Sequence, residues 1–179
     1  MINRRIARHT TLALIAPAVA LSLAGCGDAG GGQPIGHVAT VGFYPDSGVI
    51  QQGTIDVAVT KVEQGTASEL AAAGYNLDQD QLASTPYYVT LSLKNNGTVS
   101  DVNPPDPSGE SNDGTTYSAV VVIGEDGTFQ RCPGIPYSIP AGATVTGCSI
   151  VLVPPGGKLD RISYFPGGSE DFQYWNVAG

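Results

Sequence analysis

The amino-acid sequence predicts an all-β protein, an antiparallel β-sandwich of about seven or eight strands with a short helical excursion near residues 66–73. The composition supports this prediction, since the chain has 24 glycines and 13 prolines and only 13% charged residues. This balance favours short strands joined by tight turns over helices. Several segments alternate apolar and polar residues with a period of two, as half-buried strands do. Most of these segments are separated by Gly, Pro, Asn or Asp, which favour tight turns.

The clearest strand prediction is Tyr87–Lys94. One face carries apolar residues and packs on a core, whereas the other contacts water; the packed face has Tyr87, Val89, Leu91 and Leu93, and the solvated face has Tyr88, Thr90, Ser92 and Lys94. The following segment, Asn95–Thr98, has the composition of a turn.

Other segments complete the predicted order. The strands expected are His37–Tyr44, Thr54–Val62, Thr115–Ile123, Thr144–Val153, Leu159–Phe165 and Asp171–Val177. Val120–Ile123 is apolar on both faces, which indicates a central strand, and Gly124–Gly127 predicts a hairpin turn. Thr66 and Glu69 match a capping box, so a short helix is expected there.

The first 25 residues have the layout of a secretory signal. Arg4, Arg5 and Arg8 precede an apolar run from Leu12 to Ala24. That run is shorter than the ~20 residues needed to span a bilayer, which disfavours the alternative of a retained membrane helix. We therefore expect residues 1–25 to be a signal peptide.

The last residues of this segment and the cysteine that follows it, Leu23-Ala24-Gly25-Cys26, resemble the lipobox of bacterial lipoproteins. The resemblance implies that Cys26 receives a diacylglyceryl group and becomes the new N-terminus. Two acyl chains anchor a protein stably, whereas one holds only marginally. A buried structural thiol is the alternative, and the glycine-rich residues after Cys26 argue against it. Residues 26–36 are then the lipidated cysteine and a tether, and residues 37–179 are the β domain on the extracytoplasmic face of the cell membrane.

The two remaining cysteines, Cys132 and Cys148, form an even pair in an exported chain, which predicts a disulfide. A zinc site lacks further ligands near them, and a catalytic thiol lacks a nearby base. Removing the three N-terminal arginines leaves five basic residues against 16 acids, a net charge of −11. Such a surface is repelled by phosphate backbones, so we expect no nucleic-acid partner.

The sequence offers little catalytic equipment. His37 is the only histidine outside the signal, and the Ser nucleophile, phosphate-loop and zinc-protease motifs are absent. We expect no enzyme activity, no cofactor and no metal site. One alternative stays open: the loop 101–114 carries the hard oxygen ligands that calcium prefers, although its prolines do not fit an EF-hand. These ligands are Asp101, Asn103, Asp106, Glu110, Asn112 and Asp113.

Aromatic residues cluster near the C-terminus, at Tyr164, Phe165, Phe172, Tyr174 and Trp175. They predict packing in the core or at its rim, with a binding face built partly from Tyr174 and Trp175 as the alternative.

The order of these elements resembles an immunoglobulin-like domain. The residues that carry the resemblance are the Tyr87–Gly97 strand and turn, the Glu125-Asp126-Gly127 turn, Pro140-Ala141-Gly142, Val145–Cys148 and Val153-Pro154-Pro155. The pattern is similar to that of uncharacterised actinobacterial lipoproteins, akin to a secreted mycobacterial immunoglobulin-like antigen. The resemblance implies an envelope-exposed sandwich without established chemistry. We therefore expect a non-enzymatic binding or interaction module, with a small-ligand or ion-delivery lipoprotein as the alternative.

Overall fold

The computed structural model describes residues 31–43, 53–98, 104–120, 129–166 and 172–177. The predicted signal peptide, the lipobox with Cys26 and the predicted turn at 124–127 lie outside these residues.

Nine strands and two short helices make up the described chain. In order they are β1 Gln33–Pro34, β2 Ala39–Phe43, β3 Gly53–Gln64, α1 Ala67–Ala72, α2 Gln79–Ala83, β4 Thr85–Asn95, β5 Ser108–Glu110, β6 Thr116–Tyr117, β7 Thr144–Val153, β8 Arg161–Tyr164 and β9 Gln173–Asn176. The all-β class and the predicted helix at 66–73 are confirmed.

The strands form two sheets. The four-stranded sheet has the order β2-β3-β4-β7 and is antiparallel throughout. The five-stranded sheet has the order β1-β9-β8-β5-β6, in which β1 pairs with β9 in parallel. The prediction of a purely antiparallel sandwich therefore misses this one pair.

The core lies between the two sheets. The four-stranded sheet contributes the alternating residues of β3 and β4, including Val59 and Leu91, and the five-stranded sheet contributes Ile162 and Trp175. All four side chains are fully buried. The Trp175 indole also donates a hydrogen bond of 2.8 Å to the His37 carbonyl, so the one polar atom of that ring is satisfied.

The outer face of β4 differs from its prediction at Tyr88. This side chain was expected to contact water, yet it is 1% exposed and packs with Leu70, Cys132, Cys148 and Ile150 in a second apolar cluster. The reason is tertiary, because α1 and the loop around Cys132 cover this part of the sheet.

The sandwich begins earlier in the chain than predicted. Gln33 and Pro34 pair with Trp175 and Asn176, four residues before the predicted domain boundary at residue 37. Asn176 Nδ2 donates to the Gly32 carbonyl at 2.7 Å, and the Gly36 amide donates to the Val59 carbonyl at 2.7 Å. Residues 32–36 of the predicted tether therefore belong to the folded domain.

The segment predicted as the central strand Thr115–Ile123 connects the two sheets. Its first part, β6, lies at one edge of the five-stranded sheet, and Ala119 then bridges to Val151 of β7 in the other sheet. Residues 121–123, on which the prediction of a central position depends, lie outside the described residues.

Candidate functional site

The disulfide predicted from the cysteine count is present. Cys132 and Cys148 are joined with a Cα–Cα distance of 5.0 Å, and both side chains are buried. Cys148 lies on β7, so the bond attaches the loop around residue 132 to the outer face of the four-stranded sheet.

A polar cluster next to this disulfide fastens α1 to the sheet. Arg131 lies 4.6 Å above the centre of the Tyr88 ring, and its guanidinium contacts the Glu69 carboxylate at 2.7 Å. Tyr88 donates its hydroxyl hydrogen to the same carboxylate. Hydrogen bonding from the Thr66 backbone, with help from Arg131, lowers the pKa of Glu69. These groups satisfy one another's charges and hydrogen-bonding capacity, so the cluster stabilises the contact between α1 and the sheet.

In the loop 101–114, which we call the acidic loop, the described carboxylates are held by separate partners. Glu110 accepts from the Arg161 guanidinium at 2.9 and 2.7 Å, whereas Asp106 accepts from the Ser149 hydroxyl at 3.0 Å. Asp113 accepts from the Ser111 hydroxyl and the Thr115 amide, and these bonds lower its pKa to about 2. Within the described ranges no group of three or more His, Cys, Asp or Glu residues is placed to hold a metal ion. Asp101 and Asn103 lie outside those ranges.

The described residues include His37, the one histidine outside the predicted signal peptide. It lies between β1 and β2 with an exposed side chain, and its carbonyl accepts the Trp175 hydrogen bond.

In the part of the chain that the structure describes, no helix is long and apolar enough to cross a membrane.

The C-terminal aromatic residues divide between the core and the surface. Ile162 of β8 is opposite Trp175 of β9, and both point inward. Because side chains alternate along a strand, Arg161 and Tyr174 point outward. Trp175 is fully buried and packs in the core, as first expected, so it cannot contribute to the alternative binding face.

The outward residues form a row that we call the aromatic strip, defined by Phe165, Phe172 and Tyr174. The Phe165 and Phe172 ring centres are 4.7 Å apart, and those of Phe172 and Tyr174 are 6.0 Å apart, with interplanar angles of 23° and 18°. Phe165 is 40% exposed and Phe172 is 49% exposed. The three rings therefore form a small stacked apolar surface on the outward face of β8 and β9.

Arg161 closes one end of the aromatic strip. Its guanidinium carbon lies 4.3 Å from the Tyr174 ring centre, and its nitrogens pair with Glu110 on the neighbouring strand β5. The cation is therefore neutralised within the fold, and the exposed part of the strip is apolar. The sequence signal for this arrangement was the alternation along β8 and β9, which assigns neighbouring residues to opposite faces.

One buried polar group, the hydroxyl of Tyr164, differs from the groups above in its hydrogen bonding. The Tyr164 hydroxyl points into the sandwich and has no hydrogen-bond partner among the described residues. Burial, with a contribution from Asp106, raises the pKa of this phenol above its ordinary value.

No family model matches the chain, and no curated protein matches it. Among solved structures, the chain is similar to MPT63, a secreted protein from Mycobacterium tuberculosis. The TM-score is 0.55 with 18% sequence identity, and the match covers 80% of this chain and 95% of MPT63. At this identity the likeness concerns the fold. The chain has an all-β sandwich fold resembling that of MPT63.

Proposed function

We propose that this protein is a lipid-anchored, extracytoplasmic binding module without enzyme activity, held at the outer face of the cell membrane by a diacylglyceryl group on Cys26. The observation that carries the proposal is the division of the three cysteines. Two of them form the Cys132–Cys148 disulfide, as expected in an oxidising compartment. The third stands in the Leu23-Ala24-Gly25-Cys26 sequence at the end of an apolar run.

The similarity to a secreted protein supports the same compartment. The described carboxylates of the acidic loop are held by donors of the fold itself, which argues against a catalytic role for them. The contact surface that we assign to the module is the aromatic strip.

The anchor is tested by labelling growing cells with radioactive fatty acid. We expect label on the wild-type protein and none on Cys26→Ala. The matched control is Cys132→Ala, which removes one cysteine of the disulfide and should keep the label. Equal labelling of wild type and Cys26→Ala would refute the anchor, as would a full-length chain found in the soluble cytosol.

The contact surface is tested by photo-crosslinking on intact cells. A benzophenone amino acid at position 172 should give crosslinked product, whereas the same group at Tyr137, which is 88% exposed and lies outside the aromatic strip, should give much less. Equal yields at the two positions would show that the strip is not the contact surface.

Carriage of a small ligand is the second candidate function. The observation that favours it is the buried Tyr164 hydroxyl, since an interior polar group with no partner among the described residues can bind a polar ligand atom. Native mass spectrometry of protein released gently from membranes should then show an added mass that decreases in Tyr164→Phe. A bare protein mass in the wild type would rule this candidate out.

A further inference from the structure

We infer that the aromatic strip rests on the bilayer that holds the lipid anchor, with the Phe165 and Phe172 rings in the interfacial region. The inference rests on the proposed anchor at Cys26 and names the partner of the surface described above. It follows from where the chain joins the sheet, how far the anchor lies from that point, and what the strip presents to it.

The N-terminal chain joins the five-stranded sheet as its edge strand β1, next to β9. Asn176 projects from the same face as Tyr174, and its side-chain amide donates to the Gly32 carbonyl at 2.7 Å. A strand rises about 3.3 Å per residue, so Tyr174 lies roughly 7 Å and Phe172 roughly 13 Å along β9 from this junction. The N-terminal chain therefore enters the sheet next to the strand that carries Tyr174 and directly follows Phe172.

The anchor is close to this junction. Cys26 precedes Gly32 by six residues, and a chain of that length reaches at most about 20 Å. Gln33 and Pro34 pair with β9 and therefore do not belong to the free tether, which is shorter as a result. A bilayer that holds the acyl chains of Cys26 is consequently within reach of the strip.

The strip also has the chemistry of the interface. Tyrosine favours the boundary between headgroups and hydrocarbon, and phenylalanine is among the residues on the apolar face of segments that lie in this boundary. Arg161 is already paired with Glu110, so the strip presents no free cation to lipid phosphates. The mature chain carries a net charge of −11, which opposes attraction to anionic lipids. We therefore expect contact through apolar insertion, observable on neutral phosphatidylcholine and insensitive to salt.

The small size of the strip favours a lipid surface over a second protein surface. At exposures of 40% and 49%, the two phenyl rings offer on the order of 200 Å². A stable protein interface buries about 800 Å² on each partner. Since two acyl chains already anchor the protein, the strip acts on orientation rather than on membrane affinity.

The experiment places the full-length lipidated protein on phosphatidylcholine vesicles with or without brominated acyl chains, which quench nearby tryptophan emission. Phe172→Trp adds a reporter within the aromatic strip, and Tyr137→Trp adds one outside it. Trp175, the only native tryptophan, gives the same background in both variants. We expect the added emission of Phe172→Trp to be quenched at least threefold more than that of Tyr137→Trp, at low and high salt alike.

Phe165→Trp is the second variant, which should behave as Phe172→Trp does. Flotation of the vesicles separates the two levels of the argument. Protein that fails to float with the vesicles contradicts the proposed anchor and the inference together. Protein that floats, but whose added tryptophans at 172, 165 and 137 are quenched equally, contradicts the inference alone, as does a dimer on the vesicles joined through the aromatic strip.

Discussion

Gly109 on β5 shows how tightly the described core is packed. It faces inward, and a Cβ atom there would lie 2.5 Å from Leu159 Cδ1 and 2.8 Å from Val151 Cγ1. Those side chains come from different parts of the sandwich and cannot both move freely. The absence of a side chain at this position therefore allows the two sheets to approach each other.

Gly109→Ala should lower the free energy of unfolding by about 1–3 kcal/mol, the usual cost of overpacking a core. The matched control is Gly53→Ala on β3, where the nearest atom to an added Cβ is Gly97 Cα at 3.6 Å. That variant should unfold at or slightly above the wild-type denaturant concentration, because alanine restricts the unfolded chain. Urea titrations measure both, and equal destabilisation would contradict this account of the core.

Acid should weaken the fold through carboxylates whose pKa is lowered by their partners. The Ser111 hydroxyl and Thr115 amide lower the pKa of Asp113 from 3.8 to about 2, and the Lys158 side chain lowers that of Asp160. A group with a lowered folded-state pKa stabilises the protein above its unfolded pKa, and that contribution is lost as the pH falls through the folded pKa. The urea midpoint should thus be nearly flat from pH 7 to about 5 and fall between about pH 4 and 2.

Asp113→Asn is the control for this pH dependence. It should unfold more readily than wild type at pH 6 and show a shallower decline below pH 4. A wild-type midpoint at pH 2.5 equal to that at pH 6 would contradict the prediction.

At the level of elements, local sequence patterns predicted the features that depend on residues close together in the chain, such as strand alternation and helix capping. The alternation in β4 correctly placed Val89, Leu91 and Leu93 in the core. The Thr66–Glu69 capping box is present with both of its hydrogen bonds. A second capping box, Asp78 with Gln81, begins α2, and the same spacing rule could have found it.

The missed features depend on contacts between distant parts of the chain. β1 has only two residues beside a glycine-rich stretch, and its partner β9 is formed near the other end of the sequence. Tyr88 alternates like a solvent-facing residue and is buried only because α1 and the Cys132 loop cover it. The stacking of Phe165 on Phe172 likewise needed the pairing of β8 with β9, which alternation within either strand does not predict.

The disulfide is predicted to stabilise an element as well as the whole fold. Its sequence separation of 16 corresponds to about 3 kcal/mol in the chain-entropy model. The same loop carries Arg131 onto Tyr88 and Glu69, so loss of the bond should also loosen α1. Cys132→Ala with Cys148→Ala should lower stability by about that amount and speed hydrogen exchange in residues 67–77.

Reduction supplies the control for the disulfide. Dithiothreitol should move the wild-type unfolding midpoint to that of the double variant and leave the double variant unchanged. Unaltered exchange in residues 67–77 after loss of the bond would show that α1 is held without the disulfide.

At the scale of the whole molecule, both sheets contribute to a single core. Val59 and Leu91 come from one sheet, whereas Ile162 and Trp175 come from the other, and all four belong to one buried cluster. β1 and β9 bring together residues far apart in sequence, as when Gln33 donates to the Gln173 side chain 140 residues away. Neither sheet can bury its apolar face without the other, so the domain should unfold in one cooperative step.

Trp175 makes this last prediction measurable. It is the only tryptophan and lies in the core on β9, so its fluorescence reports on the five-stranded sheet. Far-ultraviolet circular dichroism reports on all strands, the longest of which belong to the four-stranded sheet. The two signals should therefore change at the same urea concentration, and refolding should take milliseconds to seconds, as expected for distant strand pairings. A tryptophan transition that precedes the circular dichroism transition would mean that the five-stranded sheet comes apart first, and that the two sheets are separate folding units.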